Sequence, residues 1–147
     1  MQAFRIADRR FPIADGTGAA LHGGGWNSPG RPVIYASESH ACALLERLAQ
    51  TGTGRIPRNQ VAVVIDIPDD LVIERAPFQR PPPHPESRAF GDRWLTGRRS
   101  VVLSVPSIVS RHDRNLLIDP VHPEFPRIRF GGPEPVVWDA HLFRDTP

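Results

Sequence analysis

The stretch VIYASESHACALLERLAQTG, residues 33–52, sets a short apolar strand directly against an amphipathic helix, and this pairing makes the chain a mixed α+β protein. Val33 to Ala36 is apolar and partly β-branched, as strand segments are. From His40 to Gln50, Ala41, Leu44, Leu45 and Leu48 recur at helical spacing. Ser37 or Ser39 can cap the start of this helix, and Gly52 and Gly54 end it. Glu46 lies beside the apolar stripe, one position past Leu45 and two before Leu48. It is either a partly buried carboxylate or an ordinary solvated one.

Upstream of this stretch, Phe4 to Ala7 reads as a first strand, and His22 to Pro32 is a turn region holding Gly23-Gly24-Gly25 and Pro29-Gly30. Downstream, Val61 to Ile67 reads as a buried strand and Leu71 to Arg75 as a weaker one. Pro77 to Pro85, with three consecutive prolines, cannot join a sheet and is expected to be a surface loop. Ala89 to Thr96 is expected to be a short helix, with strands at Val101–Val105 and Val136–Asp139. Seventeen prolines and twelve glycines cut the chain too finely for a helical bundle. Strands interleaved with few helices predict a compact mixed-sheet α+β domain rather than a regular parallel α/β sheet. At 147 residues, one domain over 1–147 is expected.

Composition excludes several function classes. No apolar run approaches the ~20 residues that span a bilayer, and Met1-Gln2-Ala3-Phe4-Arg5 lacks the layout of a signal peptide, so a cytoplasmic chain without membrane attachment is expected. Cys42 is the only cysteine, which leaves no internal disulfide or thiolate cluster and reads as a buried structural thiol. All eighteen basic residues are arginine, and they are scattered rather than clustered. Direct nucleic-acid binding is therefore not expected, while an anionic ligand stays open. His112-Asp113 and His122-Pro123-Glu124 lie on predicted loops without the i, i+4 spacing of a zinc helix, so no metal is expected. Ser28 and Ser107 lack the glycine-flanked elbow of a serine hydrolase nucleophile.

Three separated segments carry the candidate chemistry. In the first, Gly24-Gly25-Trp26-Asn27-Ser28-Pro29-Gly30 leads into the strand bearing Tyr35; glycines there permit a ligand close to the backbone, or the turn is merely decorated, with Trp26 capping the core. The second is the helix with Glu46. The third runs from Ser104-Val105-Pro106-Ser107 to Asn115–Phe125, either a site wall or a rigid loop.

In this order the segments resemble the RES family, named for an arginine, a glutamate and a serine, whose fold is related to the ADP-ribosyltransferase toxins. The resemblance runs from Phe4-Arg5-Ile6 to Asn115–Phe125 and is most specific at Trp26-Asn27 with Gly30, at Tyr35, at Glu46 eleven residues later, and at Val105-Pro106-Ser107. It implies that Glu46, Tyr35 and Ser107 serve catalysis and that Arg5, Gly25, Trp26, Asn27, Tyr35 and Ser107 bind NAD. It further implies cleavage of the nicotinamide–ribose bond, with ADP-ribose passed to phosphate, water or a cellular protein. As partner it implies an Xre-type helix-turn-helix antitoxin; homo-oligomerisation stays open. One position departs: where the family has arginine just before the Trp-Asn pair, this sequence has Gly25. That departure keeps a second class in play, a module that holds NAD or its antitoxin without turnover.

Overall fold

The computed structural model describes residues 1–52 and 54–143. Eight strands form one sheet: β1 (Gln2–Asp8), β2 (Ile34–Ser37), β3 (Gln60–Asp66), β4 (Ile73–Arg75), β5 (Val102–Pro106), β6 (Arg114–Ile118), β7 (Arg129–Phe130) and β8 (Glu134–Pro135). Their order is β4-β5-β6-β2-β1-β3-β7, with β8 also paired to β3. All pairs are antiparallel except β4–β5. The expected mixed-sheet α+β domain is thus the observed one.

Alternation in the strands decides what each face buries. Ile34 and Ala36, Val63 and Ile65, and Leu116 and Ile118 build one core face, closed by Ile67, Leu71 and Ile128 from the connections. Leu103, Val105 and Leu117 point the other way and pack with Trp26, Trp94 and Leu95. Ser37 opposes Asn115 and Tyr35 opposes Leu117, so these polar residues share the second face.

Three helices connect the strands: α1 (Thr17–His22), α2 (His40–Thr51) and α3 (His84–Gly97). The α2 helix matches the expected segment. Of the two candidate caps Ser39 acts, its side chain accepting from the N–H of Cys42, and Gly52 closes the helix in the left-handed region with its N–H on the Leu48 carbonyl. The buried stripe differs from the reading, because Cys42 and Ala43 face the sheet while Leu45 is 45% exposed. A small-residue stripe lets α2 sit close to β1 and β2.

Other expectations need correction. The loop expected over Pro77–Pro85 ends early: α3 already begins at His84, with Pro83 as its cap and Pro85 in the first turn, where a missing N–H costs nothing. The α1 turn was not expected; it is bounded by Gly16 and Gly23, both at positive φ. The segment Arg114–Ile118, read as part of a loop wall, is the central strand β6, which its run of Leu116, Leu117 and Ile118 explains once both faces are covered. No strand forms at Val136–Asp139; pairing occurs just before it at Glu134–Pro135, and Val137 is 91% exposed. A single bond from the Val136 N–H to the Gln60 carbonyl continues the edge.

Helix α3 is seated on the glycine-rich turn at Gly91, where a Cβ would overlap the Trp26 carbonyl. Gly91→Ala is expected to lower stability by roughly 1–3 kcal/mol through overpacking. Thermal unfolding followed by circular dichroism checks this; an unchanged Tm would show that α3 is not held against the turn.

Candidate active site

Strands β1 and β2 touch at the Phe4–Ser37 pair and then part. Continuing that register would set Ile6 opposite Tyr35, but arginines occupy the gap instead. Arg5 Nη1 donates to the Tyr35 carbonyl at 2.9 Å, and Arg47 Nη2, from α2, donates to the Ile6 carbonyl at 2.9 Å. Burial, and then the charge of Arg47, push the Arg5 guanidinium down to about 10; burial also lowers Arg47. The gap between the strands is therefore bridged by two cationic side chains.

On the second face of the sheet, α2 lowers Glu46 onto the ends of β5 and β6. Its Oε1 accepts from Ser107 Oγ at 2.7 Å and from Asn115 Nδ2 at 2.6 Å. Ser107 Oγ accepts in turn from the N–H groups of Val109 and Ser110, at 3.1 and 3.2 Å, so a tight turn holds the hydroxyl in place. Asn115 is oriented by Ser37 Oγ, which donates to its Oδ1 at 2.7 Å. Both donors converge on one carboxylate oxygen. Oε2 receives no hydrogen bond from the described residues, and the side chain is half-buried. Cys42 lies beneath, its Sγ 3.6 Å from Ser107 Oγ, with burial pushing the thiol up. The expected buried thiol is observed, but inside the site's framework.

Tyr35 lies one pleat along β2 from Ser37, roughly 7 Å away on the same face. Its hydroxyl donates to Asn27 Oδ1 at 2.5 Å and accepts from the Trp26 N–H at 3.2 Å. Burial raises its ionisation well above that of an ordinary tyrosine. The phenol is thus fixed and neutral, and the half-buried ring packs against the core cluster around Trp26 and Leu117. Asn27 is fully buried; its Nδ2 donates to the carbonyls of Ala19, Arg31 and Ser28, which winds the turn around one amide. Trp26 is buried against Phe78 and Phe90. Glu46 and Ser107 meet directly and Arg5 reaches the Tyr35 carbonyl, while Trp26 and Asn27 are buried in the adjoining turn.

Gly24 is required by close approach, since a Cβ there would lie 2.6 Å from the Tyr35 hydroxyl and 2.8 Å from Asn27 Oδ1. Gly25 differs. A Cβ at Gly25 meets nothing within 4 Å, and its φ is not positive. Its carbonyl accepts from Ser87 Oγ, and Arg88 Nε donates to the adjacent Gly24 carbonyl at 2.9 Å, so α3 holds the turn open-faced.

Sequence reasoning included Asn115 only as the start of a candidate wall and did not single out Arg47. Asn115 stands next to Glu46 only through the pairing of Ser37 with Asn115, a contact between distant segments that spacing does not reveal. The histidine pair shows no comparable convergence: His122 is buried and tied to the Arg98 carbonyl and the Glu124 N–H, a structural joint.

Comparison with known proteins concerns the chain as a whole. The family model described as RES domain matches residues 2–139. The chain is 33% identical over 154 residues to the Prs ADP-ribosylating toxin of Sphingobium sp. (strain YBL2), covering 96% of each chain. It is 31% identical over 116 residues to Toxin Res of Photorhabdus laumondii, covering 75% of this chain and 74% of that one. Among solved structures it shares its fold with a chain of the M. tuberculosis MbcT–MbcA toxin–antitoxin complex, at a TM-score of 0.68 and 17% identity, over 90% of this chain and 82% of that one.

The two glycines of the turn should respond oppositely to substitution. Gly25→Arg is expected to leave stability within roughly 0.5 kcal/mol, as for an unhindered surface change, while Gly24→Ala should cost about 1–3 kcal/mol by displacing Tyr35 or Asn27. Chemical denaturation of both variants measures the difference; equal losses would contradict the geometry of the turn.

Proposed function

The chain belongs to the RES domain family, and from that premise we propose that it is an NAD-degrading toxin of a toxin–antitoxin pair, acting on the nicotinamide–ribose bond. The observation that carries this reading is the carboxylate of Glu46, fixed through one oxygen by Ser107 and Asn115 with the other oxygen unclaimed among the described residues. When the C–N glycosidic bond of NAD breaks, its electron pair leaves with nicotinamide and positive charge develops on the ribose. A carboxylate held ready beside that sugar stabilises the transition state more than the ground state and needs no reorganisation. The two hydrogen bonds to Oε1 fix the direction in which the carboxylate points. Tyr35, with its hydroxyl locked, offers a ring face to the nicotinamide. Arg5 supplies a guanidinium for the phosphates. Ser107 orients Glu46 and is no nucleophile in this scheme, since its oxygen already donates to a carboxylate and accepts from two N–H groups.

The proposed acceptor is phosphate or water, with ADP-ribose phosphate or free ADP-ribose as product. A second reading, transfer to a cellular protein, is favoured by the name of the Sphingobium relative, an ADP-ribosylating toxin that matches nearly the whole chain. The partner proposed is a helix-turn-helix antitoxin of the Xre kind; the structural neighbour is itself half of a toxin–antitoxin complex. No helix among the described residues is long and apolar enough to cross a membrane, and action in the cytoplasm belongs to the same proposal.

Incubation of the full chain with NAD, with and without phosphate, followed by chromatography, tests the reading: nicotinamide should appear, faster with phosphate if phosphate is the acceptor. Absence of nicotinamide from both this chain and a Gly25→Arg version would overturn it. Glu46→Gln should reduce kcat by roughly 10²–10³-fold while changing KM little, the scale of one lost transition-state electrostatic contact. Gly25→Arg adds a forked cation at an unobstructed position and should raise NAD cleavage by about 10²–10⁴-fold; growth and cellular NAD after induction report it directly.

A further inference from the structure

The cationic side chains that bridge the β1–β2 gap are not accounted for by the backbone they support. Two strands that part leave carbonyls in need of donors, and a neutral amide would serve each of them. The chain instead places two guanidiniums there, Arg5 on the Tyr35 carbonyl and Arg47 on the Ile6 carbonyl. Burial disfavours both charges, and the charge of Arg47 further disfavours that of Arg5. A buried like-charged pair is retained at a cost unless something neutralises it.

No carboxylate does so within the described residues. Neither arginine has an acidic group within ion-pair distance. The two carboxylates whose fields reach them are engaged elsewhere. Asp8 is gripped by Arg10, whose Nη2 lies 2.7 Å from Oδ2 and whose Nε contacts both oxygens. Asp15 accepts from the Thr17 N–H. Meanwhile the Nε atoms of both Arg5 and Arg47 are buried without a partner. Each guanidinium thus has one amine committed to a carbonyl and further donors unmatched, in a fork whose geometry suits phosphate oxygens.

We propose that Arg47 is a second anion ligand beside Arg5, and that the two guanidiniums together seat the pyrophosphate of a dinucleotide. This deepens the NAD reading above and rests on it for the identity of the dinucleotide. Adjacent positions of α2 then serve adjacent parts of the substrate: Glu46 meets the ribose from the sheet face, and Arg47 meets the phosphate bonded to that ribose from the gap. The local chemistry recognises any diphosphate of this size, so inorganic pyrophosphate and ADP are suitable probes, with adenosine as the phosphate-free comparison.

Calorimetry of the full chain should show binding of ADP and pyrophosphate, weakening as salt is raised, and none of adenosine at the same concentration. Arg47→Gln removes the charge and keeps an amide N–H donor, on a side chain two bonds shorter. It should weaken ADP binding and raise the KM for NAD by roughly 10–100-fold, the scale of one charge-assisted hydrogen-bond pair, with kcat within about threefold. Arg47→Lys, which keeps a cation, should recover most of the affinity. In the unaltered protein, the Nε–H resonances of Arg5 and Arg47 should both move when pyrophosphate is added, a readout that needs no variant to fold. Unmoved resonances, or an Arg47→Gln protein that loses stability but binds ADP as tightly as before, would overturn the proposal. A chain that cleaves NAD with or without the Arg47 charge keeps the NAD reading and removes this inference. One that binds pyrophosphate through Arg47 but never releases nicotinamide keeps the anion site and removes the NAD reading.

Discussion

A backbone carbonyl taken out of a ladder must find another donor or its burial costs stability, and the whole site depends on how this chain meets that constraint. β1 and β2 hold one another at Phe4–Ser37 and separate beyond it. The separation interrupts the backbone ladder in the middle of the sheet. Arg5 and Arg47 replace the missing ladder bonds, one from each side. On the outer flanks the pairing is undisturbed: β1 follows β3 through seven registered pairs, and β2 follows β6 through four. The opening is therefore bounded by two well-paired halves.

The glycine-rich turn obeys a related logic of enforced proximity. Asn27 gathers three carbonyls and the Tyr35 hydroxyl around one buried amide, and Asp92 takes the N–H and hydroxyl of Ser28 from α3. A turn so tied moves as one body with α3 and with β2. Trp26, Phe78 and Phe90 add an aromatic underside in which each ring meets the next at a steep angle. Trp26 and Asn27, the residues with the strongest motif character in this segment, are buried within the turn itself. What they deliver is a fixed ring at Tyr35.

How much of this was legible in the sequence differs from element to element for physical reasons. The α2 helix was readable because spacing, cap and terminating glycine are all local, and β1, β2, β3 and β5 were readable from their own apolar runs. β6 was not, because Arg114-Asn115 and Asp119-Pro120 flank its short apolar core and look like loop; only burial by strands on both sides makes it central. The N-terminus of α3 was hidden by prolines that forbid a helix interior but suit a helix start. Within the site, Arg5, Tyr35, Glu46 and Ser107 were legible through family resemblance, and their contacts were not. Asn115 and Arg47 carry no local signature, since each acquires its place from a partner more than forty positions away.

That separation along the chain has a consequence for synthesis. Glu46 is held by Ser107 and Asn115, sixty-one and sixty-nine positions further on. At the roughly 5–20 residues per second at which a ribosome extends a chain, about 3–14 seconds pass between the emergence of the carboxylate and that of the asparagine that aims it. Throughout that interval the growing polypeptide carries its acidic group without orientation. Nor can β6 join β2 before it has been made. The setting of the carboxylate is completed only once β6 has been made and has folded onto β2.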